Sequence, residues 1–232
     1  MIISHKYKFI LFRPQKVAGT SIQLAMGIQC GESDIVPLLR PKDKYDKDCE
    51  SFFERYKERN YSHEIKDAHL GPKSVLKNFG KYIFSKYYKI TIIRNPWDAQ
   101  VSNFWHWLVT YSKNGEFEKI MENNFDYTKK LFRERIVIDN KIWSSYWHYF
   151  DENGNCVCDC YLRFENIEKD YKELCDTIGI EYEKLPKAKS LKRINKNHYS
   201  DYYDDELIEK VRNKNKRMIN QFGYEFEKNS GV

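Results

Sequence analysis

This sequence predicts an α/β domain with a mostly parallel central sheet flanked by helices, and three observations point to it. Short β-rich apolar runs alternate with stretches of helical periodicity. Two of those runs break off into strand-to-helix junctions, F-I-L-F-R-P-Q-K-V-A-G-T-S at residues 9–21 and I-I-R-N-P-W at 92–97. No internal repeat or linker interrupts the pattern. The 232 residues fit one domain, 1–232, large enough to bury a sizeable core.

Taken in order, residues 7–13 form an apolar run closed by Pro14 and read as a buried strand; 20–28 read as the helix that follows. Residues 30–60 are charged and irregular, with a helix expected over 51–59. Gly71-Pro72 opens a short helix to about 79, because proline suits the first helical position. Residues 87–94, Y-Y-K-I-T-I-I-R, read as a second strong strand stopped by Asn95-Pro96. Helices are expected over 97–111, 116–121 and 127–136. Residues 146–150 and 156–163 flank D-E-N-G-N, whose Asn153-Gly154 pair predicts a hairpin with its second arm re-entering the main sheet. Ile167, Tyr171, Leu174 and Ile178 recur at helical spacing ahead of Gly179, so 166–178 reads as an amphipathic helix. After a basic, loop-like stretch at 184–200, Asp204 caps a last helix striped by Leu207, Ile208, Val211, Met218 and Ile219 and ending near Gly223.

Forty basic side chains against 34 acidic ones leave +6, which favours an anionic ligand without implying nucleic acid. Aromatic residues make up 16%, which suits sugar or base stacking and equally an ordinary core. No apolar run approaches the roughly 18 residues of a membrane span, and the N-terminus lacks a cleavage site of small residues, so the chain reads as soluble and cytosolic. The three cysteines of C-V-C-D-C at 156–160 share one face of an expected strand. Zinc sites use C-x-x-C pairs instead, so these read as buried reduced thiols and no metal is expected.

The first junction has the layout of a phosphate cradle. Backbone N–H groups at a helix start lack intrahelical partners and lie at the positive end of the helix dipole. Thr20 and Ser21 add hydroxyls, and Lys16 adds a cation. A Walker loop would set its lysine directly before the Thr/Ser and carry an earlier glycine; here Lys16 precedes Thr20 by four and Gly19 is the loop's one glycine. At the second junction Arg94 stands at a strand end with Ser102 eight residues on, a fork and a hydroxyl suited to a second phosphate. Taken alone, this motif equally fits an arginine capping a sheet edge.

Together the two junctions resemble the sulfotransferases that use 3′-phosphoadenosine 5′-phosphosulfate (PAPS), most of all those that sulfate carbohydrates. Lys16, Gly19, Thr20 and Ser21 match that family's K-x-x-G-T-S loop, which holds the 5′-phosphosulfate, with Val17 and Ala18 supplying backbone between them. Arg94, Pro96 and Ser102 match the R-x-P strand end and following serine that hold the 3′-phosphate. Y-L-R-F-E-N-I at 161–167 and the C-terminal Y-Y-D-D-E-L-I through F-G-Y-E-F resemble its closing segments. Asp98-Ala99-Gln100 departs from the basic residue that many members carry there.

The resemblance implies a P-loop-kinase-like, three-layer fold and transfer of a sulfuryl group to a hydroxyl on a sugar or glycan. It implies Lys16 at the leaving oxygen and His69 as the base, with His63, Glu64 and His106 as rivals and His198 further from either motif. Lys192, Arg193 or Lys196 of the basic loop would touch the nucleotide phosphates, or form a solvated face. Trp105 and Trp107 are candidates for sugar stacking, but two apart on a helix they cannot face the same way, so at least one belongs to the core. Two other classes stay open at this point, a nucleotide-dependent kinase of similar fold and a nucleic-acid-binding module.

Overall fold

The computed structural model describes residues 1–39, 49–58, 69–111, 117, 119, 121, 124–188 and 193–229. The chain forms two compact units, Met1–Ile93 with Trp147–Ser190, and Arg94–Tyr146 with Leu191–Val232.

The first unit holds the sheet: β1 (Ile2–Ser4), β2 (Phe9–Phe12), β3 (Tyr88–Ile93) and β4 (Cys160–Arg163), in spatial order β1-β2-β3-β4. β2 pairs parallel with β3 (Leu11 opposite Ile90), and β3 pairs parallel with β4 (Ile92 opposite Leu162). β1 adds an antiparallel edge. This edge strand was not expected, since three residues carry too little alternation to be read; long-range pairing makes it. The turn into β2 is tied by Asp34, which accepts from Ser4 Oγ at 2.6 Å and from the backbone N–H groups of His5 and Gly31 at 2.6 and 2.8 Å. Burial pushes the Asp34 carboxyl up, but these bonds and one from Lys6 outweigh it and hold its pKa below the ordinary value.

Around the sheet lie α1 (Gly19–Gly27), α2 (Glu50–Lys57), α3 (Pro72–Lys86) and α6 (Ile167–Ile178). α3 seats Val75, Phe79 and Ile83 against Met1, Ile3, Ile10 and Phe12, one core face of the sheet. The end expected near 79 is a break, with Gly80 at φ 85°, after which a further helical piece runs on to Lys86. α6 stops at Gly179 in the left-handed conformation, φ 71°, as its sequence predicts.

The expected hairpin is reduced. Residues Tyr146–His148 make a 3₁₀ turn, Phe150 and Cys156 form one isolated antiparallel bridge, and regular pairing starts only at Cys160. Short of a full strand, the segment leaves Cys156, Cys158 and Cys160 half-buried instead of buried. The hydrogen bond from Cys158 lowers the Cys156 thiol to a pKa of about 6; the same bond and burial push Cys158 up. Among the described residues, no group of three or more His, Cys, Asp or Glu side chains is placed to hold a metal ion. No described helix is long and apolar enough to cross a membrane.

The second unit is helical: α4 (Pro96–Tyr111), α5 (Phe125–Val137) and α7 (Asp205–Phe222). Its core is aromatic, with Phe104 edge-on to Phe132 at 5.4 Å and Trp105 donating its indole N–H to Tyr202 at 3.0 Å. Asp204 caps α7 by accepting from the Leu207 N–H at 3.0 Å. Of the helix expected over 116–121, residues 117, 119 and 121 are described and are helical; the others lie outside the described residues.

Candidate functional site

In the first unit, β2 runs out at Phe12 and the chain turns through residues 13–18 into α1. Two non-glycine residues of this loop take left-handed backbone, Lys16 at φ 65° and Ala18 at φ 61°. Such conformations cost about 1–3 kcal/mol each and gather where a loop must present its backbone or a side chain in one way. Ala18 is the N-cap of α1 and offers no side-chain bond, and the first turn holds no acidic residue. The helix start is therefore electropositive, and no side chain of its own neutralises it.

Gly19 is required by close approach. A Cβ there would lie 2.3 Å from Cγ and 2.9 Å from Cδ of Arg13, whose side chain is buried across the loop. Ser21 accepts the Ala188 N–H at 3.2 Å, which orients its hydroxyl and leaves the proton as a donor. Lys16 and Thr20 are half-buried at the mouth of the loop, Val17 is in the core and Ala18 is half-buried.

His69 comes to this loop from 56 residues away in sequence. Its Nδ1 lies 2.7 Å from the carbonyl oxygen of Arg13. A carbonyl only accepts, so Nδ1 carries the proton and, in the neutral ring, Nε2 carries the lone pair. That is the tautomer a general base needs. Two residues that sequence reasoning missed support it: His148, 1% exposed, donates its Nε2–H to the His69 carbonyl at 3.0 Å, and Trp147 stacks on His148 with ring centroids 3.5 Å apart. The only signal was an aromatic W-H pair 79 residues from His69, which no local spacing links to it.

In the second unit Arg94 and Arg193 meet at Asp98. Arg94 donates from Nε to Asp98 Oδ2 at 2.8 Å, with Nη2 2.7 Å from the same oxygen. Arg193 reaches the other carboxylate oxygen at 3.0 Å and also bonds the carbonyls of Asn195 and Asn197. Two guanidinium groups on one carboxylate leave net positive charge, largely shielded from water, since the side chains of Arg94 and Asp98 are 10% and 16% exposed. The departure noted at Asp98 thus has a physical role, because this residue aligns both arginines. Asn95 caps α4, its Oδ1 accepting the N–H groups of Trp97 at 3.0 Å and Asp98 at 3.4 Å.

Ser102 is half-buried on α4 and Lys196 is exposed. Among the rival bases, His106 is half-buried on α4, and His198 caps the turn Tyr199–Tyr202 by accepting the Ser200 N–H. His63, Glu64 and Lys192 lie outside the described residues. Of the two tryptophans expected as sugar platforms, Trp105 is core, and the Trp107 ring carries the Arg135 guanidinium 4.0 Å above it.

In the first unit the loop after β2 joins an uncapped, electropositive helix start to His69; in the second, Arg94 and Arg193 share the Asp98 carboxylate. The chain belongs to the sulfotransferase family, whose model matches residues 1–225, and the family's general chemistry is transfer of a sulfuryl group. Among curated proteins and among solved structures, nothing matches.

Proposed function

We propose that this protein transfers the sulfuryl group of PAPS to a hydroxyl of a saccharide or glycan, with His69 as the base. The observation that carries the reading is the 2.7 Å contact between His69 Nδ1 and the Arg13 carbonyl, which ties a histidine in the base tautomer to the first residue of the phosphate loop. Each unit by itself supplies donors of the right chemistry: an electropositive helix start with lysine and hydroxyls suits the 5′-phosphosulfate, and Arg94 with Ser102 suits the 3′-phosphate. Lys196 of the basic loop adds a further contact to the nucleotide.

When bound, PAPS supplies the activated sulfuryl group. His69 Nε2 takes the proton of the acceptor hydroxyl as that oxygen attacks. Lys16 sets its ammonium against the phosphate oxygen on which negative charge grows, and its flexible stem lets it follow that oxygen and protonate it. The loop's backbone N–H groups and the Ser21 hydroxyl hold the group in line. The parallel order β2-β3-β4, with the loop at the carboxyl end of β2, supports a P-loop-kinase-like, three-layer arrangement. A family match running through both units supports reading residues 1–232 as one sulfotransferase domain.

The test is sulfation of a saccharide panel with isotopically labelled PAPS, read by mass, for wild type and His69→Ala. Turnover falls at least about 100-fold in the variant, while the affinity for adenosine 3′,5′-bisphosphate stays unchanged. Unaltered turnover would reassign the base.

A further inference from the structure

Trp147 is 51% exposed, an unusual condition for the largest apolar side chain in the chain's repertoire. It is not loose. One face of its indole stacks on the His148 ring at 3.5 Å with an interplanar angle of 30°. His148 is itself buried, bonded to the His69 carbonyl at 3.0 Å, and its ring stands edge-on to the His69 ring at 6.5 Å. Gly71 lies against Trp147 as well: a Cβ there would come within 2.6 Å of the Trp147 carbonyl oxygen and 3.4 Å of its ring atom Cε3. A half-exposed indole is thus held against Gly71, two residues along the chain from the candidate base, and it shares with His69 a contact to the buried His148.

The half-exposed indole leaves apolar surface that an occupant would cover with gain. A pyranose ring fits the chemistry: its C–H face covers an aromatic plane while its hydroxyls stay at the edge, and a tryptophan held in place binds with little loss of side-chain freedom. The three tryptophans on α4 do not compete, Trp97 and Trp105 being core and Trp107 carrying Arg135. We propose that Trp147 is the platform on which a sugar ring of the acceptor stacks, bringing one of its hydroxyls to His69, with His148 as the positioning residue that holds both side chains. This rests on the saccharide reading above.

The experiment uses the full chain with saturating PAPS and three probes, chitohexaose, cellohexaose and unsulfated chondroitin. It measures acceptor KM and kcat for wild type, Trp147→Ala and Trp147→Phe, together with the Kd for adenosine 3′,5′-bisphosphate and the thermal midpoint. For the probe that wild type sulfates, Trp147→Ala is expected to raise acceptor KM about tenfold, with nucleotide Kd and midpoint unchanged and with Trp147→Phe recovering most of the loss. An acceptor KM that does not move in Trp147→Ala, or one that rises only in step with nucleotide Kd, overturns the platform and leaves the saccharide reading standing. A wild type that binds the nucleotide yet sulfates none of the probes overturns the saccharide reading and the platform with it.

Discussion

The loop after β2 and the loop after β3 are alike in position, each at the carboxyl end of a parallel strand and each opening a helix, yet they are built from opposite materials. After β2 the work falls to backbone: two left-handed residues, a glycine under a buried arginine, and a helix start with neither side-chain cap nor acidic residue. After β3 the helix start is already neutralised, by the Asn95 cap and by Asp98 in the first turn, and positive charge sits on the side chains of Arg94 and Arg193. An anion at the first loop would meet N–H dipoles and Lys16; an anion at the second would meet guanidinium groups. Geometry therefore governs the first and charge the second, and substitutions in the two loops should fail in different ways.

The sharpest separation is Lys16→Ala, expected to lower kcat by about 100-fold or more while changing nucleotide Kd only a few-fold, because its charge is needed where negative charge develops. Steady-state and single-turnover rates check this; an effect confined to KM would make Lys16 a grip like Arg94. Next comes Arg94→Ala, expected to weaken nucleotide binding by about 30-fold with kcat nearly intact, since it leaves Asp98 with only Arg193. Gly19→Ala probes geometry alone. Its new Cβ displaces the Arg13 side chain, so denaturant unfolding should show a loss of about 1–3 kcal/mol, and nucleotide binding should weaken without any change of charge.

Asp98→Asn gives the smallest effect and tests the charge argument from the other side. If Asp98 aligns the arginines, removing its charge weakens nucleotide binding by about fivefold even though the site becomes more positive. Tighter binding in that variant would mean that Asp98 merely competes with the ligand.

Much of this contrast was legible in the chain, because turn and cap chemistry is local. Both strand-to-helix junctions, the Asp204 cap and the stops at Gly179 and Gly223 stand where their residues place them. What escaped was non-local. β1 exists only through its pairing with β2, and the hairpin expected around Asn153-Gly154 shrinks to a single bridge. Asp98 reads in sequence as a missing basic residue, and only Arg193, 95 residues away, shows what it holds. His148 meets His69 across 79 residues, a distance over which spacing carries no information.

The most direct test of the division between the loops is calorimetric titration of adenosine 3′,5′-bisphosphate and adenosine 5′-monophosphate into wild type, Lys16→Ala and Arg94→Ala. Wild type should prefer the bisphosphate by at least about tenfold, Lys16→Ala should keep that preference, and Arg94→Ala should lose it. A preference for the 3′-phosphate that survives in Arg94→Ala, or that disappears in Lys16→Ala instead, contradicts the assignment.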